Sequence, residues 1–202
     1  MITREDYRDI RHRIQPGDVI AFSGRGLFSW IIQTWTRHPI SHVGIVSRCN
    51  VAGGEESVRV MESTSLDGYT GVVETRLSQR VAQYRGAIFW LPLSFEIRNR
   101  LNLPLFWEFI YGAQGKPYDL WQAIRSATVD GKEDHKRLFC SELVAAGLEA
   151  GEALPEINSS GVTPRDICEY ALYTPEVYQL CGRRRSQIPN LNTRKPGSKN
   201  NV

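Results

Sequence analysis

The sequence has no apolar run long enough to cross a bilayer. Its longest, such as AIFWLPL at 87–93, fall far short of the ~20 residues a spanning helix needs. It also lacks an apolar stretch near its start. MITREDYRDIRHRI is charged from Arg4 onward, which is not the pattern of an export signal. The expected location is therefore cytoplasmic, unless another system delivers the protein. A disulfide framework is missing too. The four cysteines, Cys49, Cys140, Cys168 and Cys181, contain no C-x-x-C pair, and in a chain without an export signal they read as reduced thiols. There is no G-x-S-x-G elbow for a serine nucleophile and no G-x-x-x-x-G-K-[ST] phosphate loop, GAQGKP being too short for one. DGKEDH at 130–135 holds potential metal ligands but reads as a solvated loop. No metal or other cofactor is expected.

Acidic residues are absent from the end of the chain. Of the net charge of +3, the last 21 residues, GRRRSQIPNLNTRKPGSKNNV, supply +6, so the preceding body carries −3. The body is thus not a basic nucleic-acid surface, and no nucleic-acid partner is expected. Residues 182–202 are polar and rich in Asn, Pro and Gly, the composition of a disordered basic tail. Elsewhere apolar residues are plentiful: 41% of the chain is hydrophobic and five residues are tryptophan, enough for a real core. No internal repeat and no linker interrupt the sequence, which reads as one domain over 1–181.

The periodicity suggests a first helix over TREDYRDIRHRI, capped by Thr3. PGDVIAF (16–22) is a turn and a short strand, and GRGLFSWIIQTWTR (24–37) has helical length. SHVGIVS (41–47) alternates as a strand does. RCNVAGGEES follows as a turn region, and VRVMES (58–63) as the returning strand of a hairpin. Next come a strand and short helix in GVVETRLSQRVAQY, a buried strand in GAIFWLPL, and a helical region over 94–112 broken at Pro104. Beyond GKPYD, a helix is expected over LWQAIRSATV and another over FCSELVAAGLEAG, ended by Gly151. A last helix begins at VTPRDICEY with Thr163 as its cap. Strands then helices, with short antiparallel connections, give an α+β fold in which an antiparallel sheet packs against helices, the cysteine-bearing one included.

In FCSELV, Leu143, Val144, Gly147 and Leu148 share one helical face with Cys140. Taken alone, this describes a buried core thiol. Position argues otherwise. Cys140 falls in the first helical turn, where unpaired N–H groups and the helix dipole favour a thiolate. The Ser141 N–H there can hold an oxyanion. A thiolate nucleophile needs a base. His12, His38 and His135 read as solvated surface residues. His42 opens a strand, and Gly44 two residues on leaves room beside its ring for another chain or a substrate. If Val46 faces Val58, then Gly44 faces Val60 and His42 faces Glu62, within hydrogen-bonding reach. A turn centred on Gly53-Gly54 shifts that pairing by three residues, and a cross-strand polar pair without catalytic meaning fits equally. Tyr118, after the proline of GKPYD, is either a hydroxyl offered to a site or a half-buried aromatic.

With GDVIAF, SHVGIV, VMES, GKPYD and FCSELV in this order, and TPRDI after them, the chain resembles the circularly permuted papain-like amidases of the NlpC superfamily, the YiiX/YaeF-like group, over most of residues 16–170. The resemblance implies a permuted papain-like fold in which the histidine precedes the acid and the acid precedes the cysteine. It implies Cys140 as nucleophile, His42 as general base, Glu62 as the residue orienting the imidazole, and Tyr118 as a tyrosine near the thiol. The expected activity is that of a cysteine hydrolase cleaving an amide of peptide, peptidoglycan-stem or N-acyl type. The alternatives are a lipid-directed acyltransferase or thioesterase with the same triad, with GLFSWIIQTW lining an acyl groove, or a papain-like module kept for binding. The expected partners are a peptide, an acyl-amino acid or a lipid-like small substrate.

Overall fold

Val19 and Ala21 point to one side of their strand and Ile20 and Phe22 to the other, and all four are wholly buried. A strand apolar on both sides must be covered on both. The computed structural model describes residues 2–52, 55–66, 69–115, 139–157 and 159–196. Its strands are β1 (Ile2–Arg4), β2 (Val19–Gly24), β3 (His42–Ala52), β4 (Glu55–Leu66), β5 (Tyr69–Arg76), β6 (Gly86–Leu91) and β7 (Val177–Cys181). They form one seven-stranded sheet in the order β1-β7-β6-β2-β3-β4-β5, antiparallel except where β1 meets β7. The fold is mixed α+β.

On one face, Val19, Ala21, Val43, Ile45 and Met61 pack against apolar residues of α5 (Leu103–Ala113), α6 (Phe139–Ala150) and α7 (Pro164–Glu169). On the other, Ile20, Phe22, Val46 and Val60 meet Tyr7 and Ile10 of α1 (Tyr7–Ile10) and Leu77 of α3 (Leu77–Gln83). The remaining helices are α2 (Leu27–Thr36), which joins β2 to β3, and α4 (Phe95–Arg100). Pro104 lies in the first turn of α5, where its missing N–H costs nothing, so it separates α4 from α5. Thr163 and Asp166 form a capping box on α7, which satisfies two otherwise unpaired N–H groups. Among the described residues no helix is long and apolar enough to cross a membrane.

Three expectations are corrected. The first segment is not one long helix: Ile2–Arg4 join the sheet beside β7, and Asp6, not Thr3, caps the short α1. The polar turn region after Ser47 is strand, paired as far as Ala52 with Glu55. The pairing of Cys49 with Val58 is the three-residue shift that a turn centred on Gly53-Gly54 implies. A β-bulge at Ser47 then returns the site end of the hairpin to a register in which Val46 faces Val60. The bulged Ser47 carbonyl accepts the Trp107 indole N–H at 2.8 Å, so the irregularity leaves no orphan acceptor.

The third correction concerns residues 182–196, which are not a loose tail. Ile188 is buried in the core, and the Asn192 side chain bonds both the N–H and the carbonyl of Tyr173 at 2.9 and 2.7 Å. Arg194 pairs with Asp166 at 2.7 Å and lies over the Tyr170 ring. Composition suggested disorder because it counts only the few apolar residues. It does not count the α7 carboxylates, Asp166 and Glu169, that receive the Arg194 guanidinium and the Asn190 amide.

Candidate active site

His42 is the first residue of β3, so its ring stands at the end of the sheet rather than within a face. Its partner on β2 is Phe22, whose ring lies 5.1 Å from the imidazole. The His42 side chain is 17% exposed, and Nε2 lies 2.8 Å from Glu62 Oε2. With Nε2 engaged, Nδ1 is the nitrogen left for the thiol of Cys140. That thiol projects from the N-terminal turn of α6, which is packed on the other face of the sheet, and is hydrogen-bonded to His42. Two backbone N–H groups also point at the sulfur, those of Ser141 and Val43. One comes from the helix start and one from β3. The Ser141 hydroxyl is committed elsewhere, donating to the Val162 carbonyl at 2.6 Å.

Glu62 is wholly buried. A buried carboxylate is tolerated only with its oxygens satisfied, and this one has three donors. Oε1 accepts the Thr75 hydroxyl at 2.6 Å, and Oε2 accepts His42 and, at 3.0 Å, Arg80 of α3. The Arg80 guanidinium in turn lies over the rings of Phe22 and Tyr84. Neither Thr75 nor Arg80 stood out in the sequence. Strand alternation opposite Val60 gives Thr75 its place, but Arg80, though it is the one arginine on the short α3, is one of many along the chain, and only the fold selects it.

The three ionisable groups shift one another. Burial acts to lower the His42 pKa, but the Cys140 thiolate and the Glu62 carboxylate overcome it and push it up to about 9. Burial raises the Cys140 thiol, yet His42 and the two N–H groups bring it below its ordinary value. Burial also opposes the Glu62 charge, and His42, Arg80 and Thr75 together lower its pKa. Moving a proton from Cys140 to His42 leaves the net charge of the cluster unchanged. An ion pair can therefore persist in a largely water-free place.

The expected face-to-face register of His42 and Glu62 is corrected. Ile45 faces Met61 and Val46 faces Val60, two residues away from the expected pairing, so Glu62 reaches His42 diagonally, past Gly44. The space beside Gly44 is not open to a substrate. A Cβ there would stand 2.7 Å from Val60 Cγ1 and 2.9 Å from Glu62 Cγ. Gly44→Ala should therefore displace Glu62 from His42, destabilise the fold by ~1–3 kcal/mol, and slow alkylation of Cys140 at acidic pH. Urea titration and iodoacetamide labelling check the two effects, and an unchanged labelling rate would separate Gly44 from the site.

His38 is not a solvated surface residue. It is buried, accepts the Ile40 N–H at Nδ1, and is therefore protonated at Nε2, 3.2 Å from the Pro189 carbonyl. Burial lowers its pKa, and a neutral ring holding the C-terminal segment is no rival base. Tyr118 and the DGKEDH segment lie outside the described residues. Among the described residues no group of three or more His, Cys, Asp or Glu side chains is placed to hold a metal ion.

No family model and no curated protein matches the chain. Among solved structures it is similar to the crystal structure of metalloprotein yiiX from Escherichia coli O157:H7, DUF1105, at 20% identity. That match covers 84% of this chain and 97% of the other, with a TM-score of 0.42.

Proposed function

We propose that the chain is a cysteine hydrolase of the permuted papain-like kind that cleaves an amide through an acyl-enzyme. The observation that carries this reading is the Cys140–His42–Glu62 line, with the Val43 and Ser141 N–H groups converging on the sulfur. In it the Cys140 thiolate attacks the carbonyl carbon, and charge develops on the carbonyl oxygen, which N–H donors beside the sulfur stabilise. The His42 imidazolium gives its proton to the leaving nitrogen as the C–N bond breaks. The neutral imidazole then takes a proton from water, whose oxygen attacks the thioester. Collapse expels Cys140 as thiolate, the acid leaves, and His42 is again protonated. Glu62 holds Nε2 throughout, leaving Nδ1 toward sulfur and substrate. Tyr118 remains a candidate beside the thiol.

A second reading, acyl transfer or thioester hydrolysis on a lipid-like substrate, is favoured by α2. Its Leu27, Trp30 and Trp35 are 75%, 60% and 61% exposed, so GLFSWIIQTW does not spend all its apolar surface on the core. The test is a panel of fluorogenic peptide amides, N-acyl amino acids and acyl thioesters, assayed with the wild type and Cys140→Ala. Turnover of any of the panel that is lost in Cys140→Ala supports the reading, and the preferred substrate chooses between the two. No turnover, together with no covalent thioester in mass spectra, would leave a binding module.

A further inference from the structure

Arg183, Arg184 and Arg185 follow directly on β7, and the chain there is held rather than loose. Gln179, wholly buried, donates to the carbonyls of Cys181 and Arg183 at 3.0 and 2.8 Å and accepts the Arg185 N–H at 2.9 Å. Gly182 turns with φ +89°, and a Cβ on it would meet the Gly86 carbonyl oxygen at 2.2 Å, so the turn is pressed against β6 as only glycine allows. The Arg185 guanidinium reaches back to the buried Ser23 hydroxyl at 3.0 Å. A buried glutamine and a clamped glycine thus aim an arginine run across the end of the sheet.

That run borders a cleft of about 490 Å³, lined also by Ser23, Arg25 and Gly86. A second cleft, of about 590 Å³, shares Arg25 and Gly86 with it and is lined also by Tyr84 and Arg85. Five arginines therefore line two clefts that share Arg25 and Gly86, and all five are exposed. Among the described residues none of them forms an ion pair. Like charges gathered without acids repel, and the arrangement is favourable once an anion neutralises it. Planar guanidinium forks suit phosphate oxygens in pairs. Five such charges exceed what a single carboxylate balances, and the volume is that of a small-molecule site.

We infer that the two clefts form one binding site for an organic phosphate carrying at least two negative charges. The site starts at Ser23, next along β2 from Phe22, the strand partner of His42. Tyr84 lines the second cleft and also packs against Phe22 at 5.1 Å. The inference does not depend on catalysis by Cys140, because the test reads binding alone.

The experiment titrates pyrophosphate and phenyl phosphate calorimetrically into wild type, Arg183→Gln/Arg184→Gln, and a control of equal charge, Arg8→Gln/Arg100→Gln. A parallel arm uses phosphatidylcholine vesicles containing phosphatidic acid. Saturable binding that weakens by at least about tenfold in the Arg183/Arg184 pair, but not in the control, supports the site. Binding of the soluble phosphates identifies a free ligand, and binding to the vesicles alone a lipid headgroup. Arg183 and Arg184 are exposed, so an unchanged thermal midpoint separates loss of the site from loss of the fold. No saturation with any probe, or equal weakening in both variant pairs, overturns the inference and leaves a general positive field.

Discussion

At about pH 6, iodoacetamide will modify Cys140 at least about a hundred times faster than Cys49, Cys168 or Cys181. The reason is the thiolate fraction of each thiol. Burial pushes the Cys49 thiol up to about 12 and also raises Cys168 and Cys181, whereas His42 and two N–H groups lower Cys140. In His42→Ala the Cys140 rate should fall by at least about tenfold near pH 6 and recover as pH rises, since only hydroxide then removes the thiol proton. The signs of the pH dependence follow. The lowered thiol pKa means the ion pair forms below pH 9 and is lost as acid titrates Cys140. The raised imidazole pKa means His42 keeps its proton until about 9. Above that pH, alkylation persists because the thiolate remains, but any turnover by the proposed amide cleavage should decline because the leaving nitrogen finds no acid. Labelling of Cys140 no faster than of the other three would return it to the status of a core thiol.

The parts of the fold set by local pattern were legible in the sequence. Alternation in SHVGIV and VRVMES placed two neighbouring strands, and Thr163 with Pro164 marked the start of α7. The pairing of His42 with Glu62 was also legible, though by a register that does not form. His42, Gly44, Val60 and Glu62 sit on one face in either register because the shift is by two, and a shift by two preserves faces. What the pattern could not supply is the bulge at Ser47, which depends on Trp107 sixty residues away. Arg80 and the N–H of Val43 were equally out of reach. One is chosen by the docking of α3, and the other is a backbone group that carries no side-chain signal. The C-terminal segment reads as disordered for a related reason, as its anchors, Gln179, Tyr173 and Asp166, lie outside it.

The largest loss of stability should come from Glu62. Glu62→Gln keeps the volume and removes the charge, leaving Arg80 with no anion at a place where its side chain is 14% exposed and its Nε already lacks a partner. Stranding one member of a buried pair costs ~3–5 kcal/mol, so the urea midpoint should drop by that equivalent. The pH dependence carries a separate signature. Because the folded pKa of Glu62 lies below its ordinary value, the carboxylate stabilises the fold above pH 4.5 and that stability is lost as pH falls through the lowered value. The variant should therefore be weakened at neutral pH and approach the wild type in strong acid. The imidazolium also loses a partner, so the upper limb of any turnover profile should move below 9, and Cys140 labelling near pH 6 should slow with it. Removing Arg80 as well, in Glu62→Gln/Arg80→Met, should restore part of the stability, since the guanidinium is then no longer stranded, but none of the low-pH labelling. Recovery of both would reduce Glu62 to a structural counter-ion of Arg80. Recovery of stability alone separates the carboxylate's hold on α3 from its hold on the His42 proton, two tasks performed by the same oxygen, Oε2.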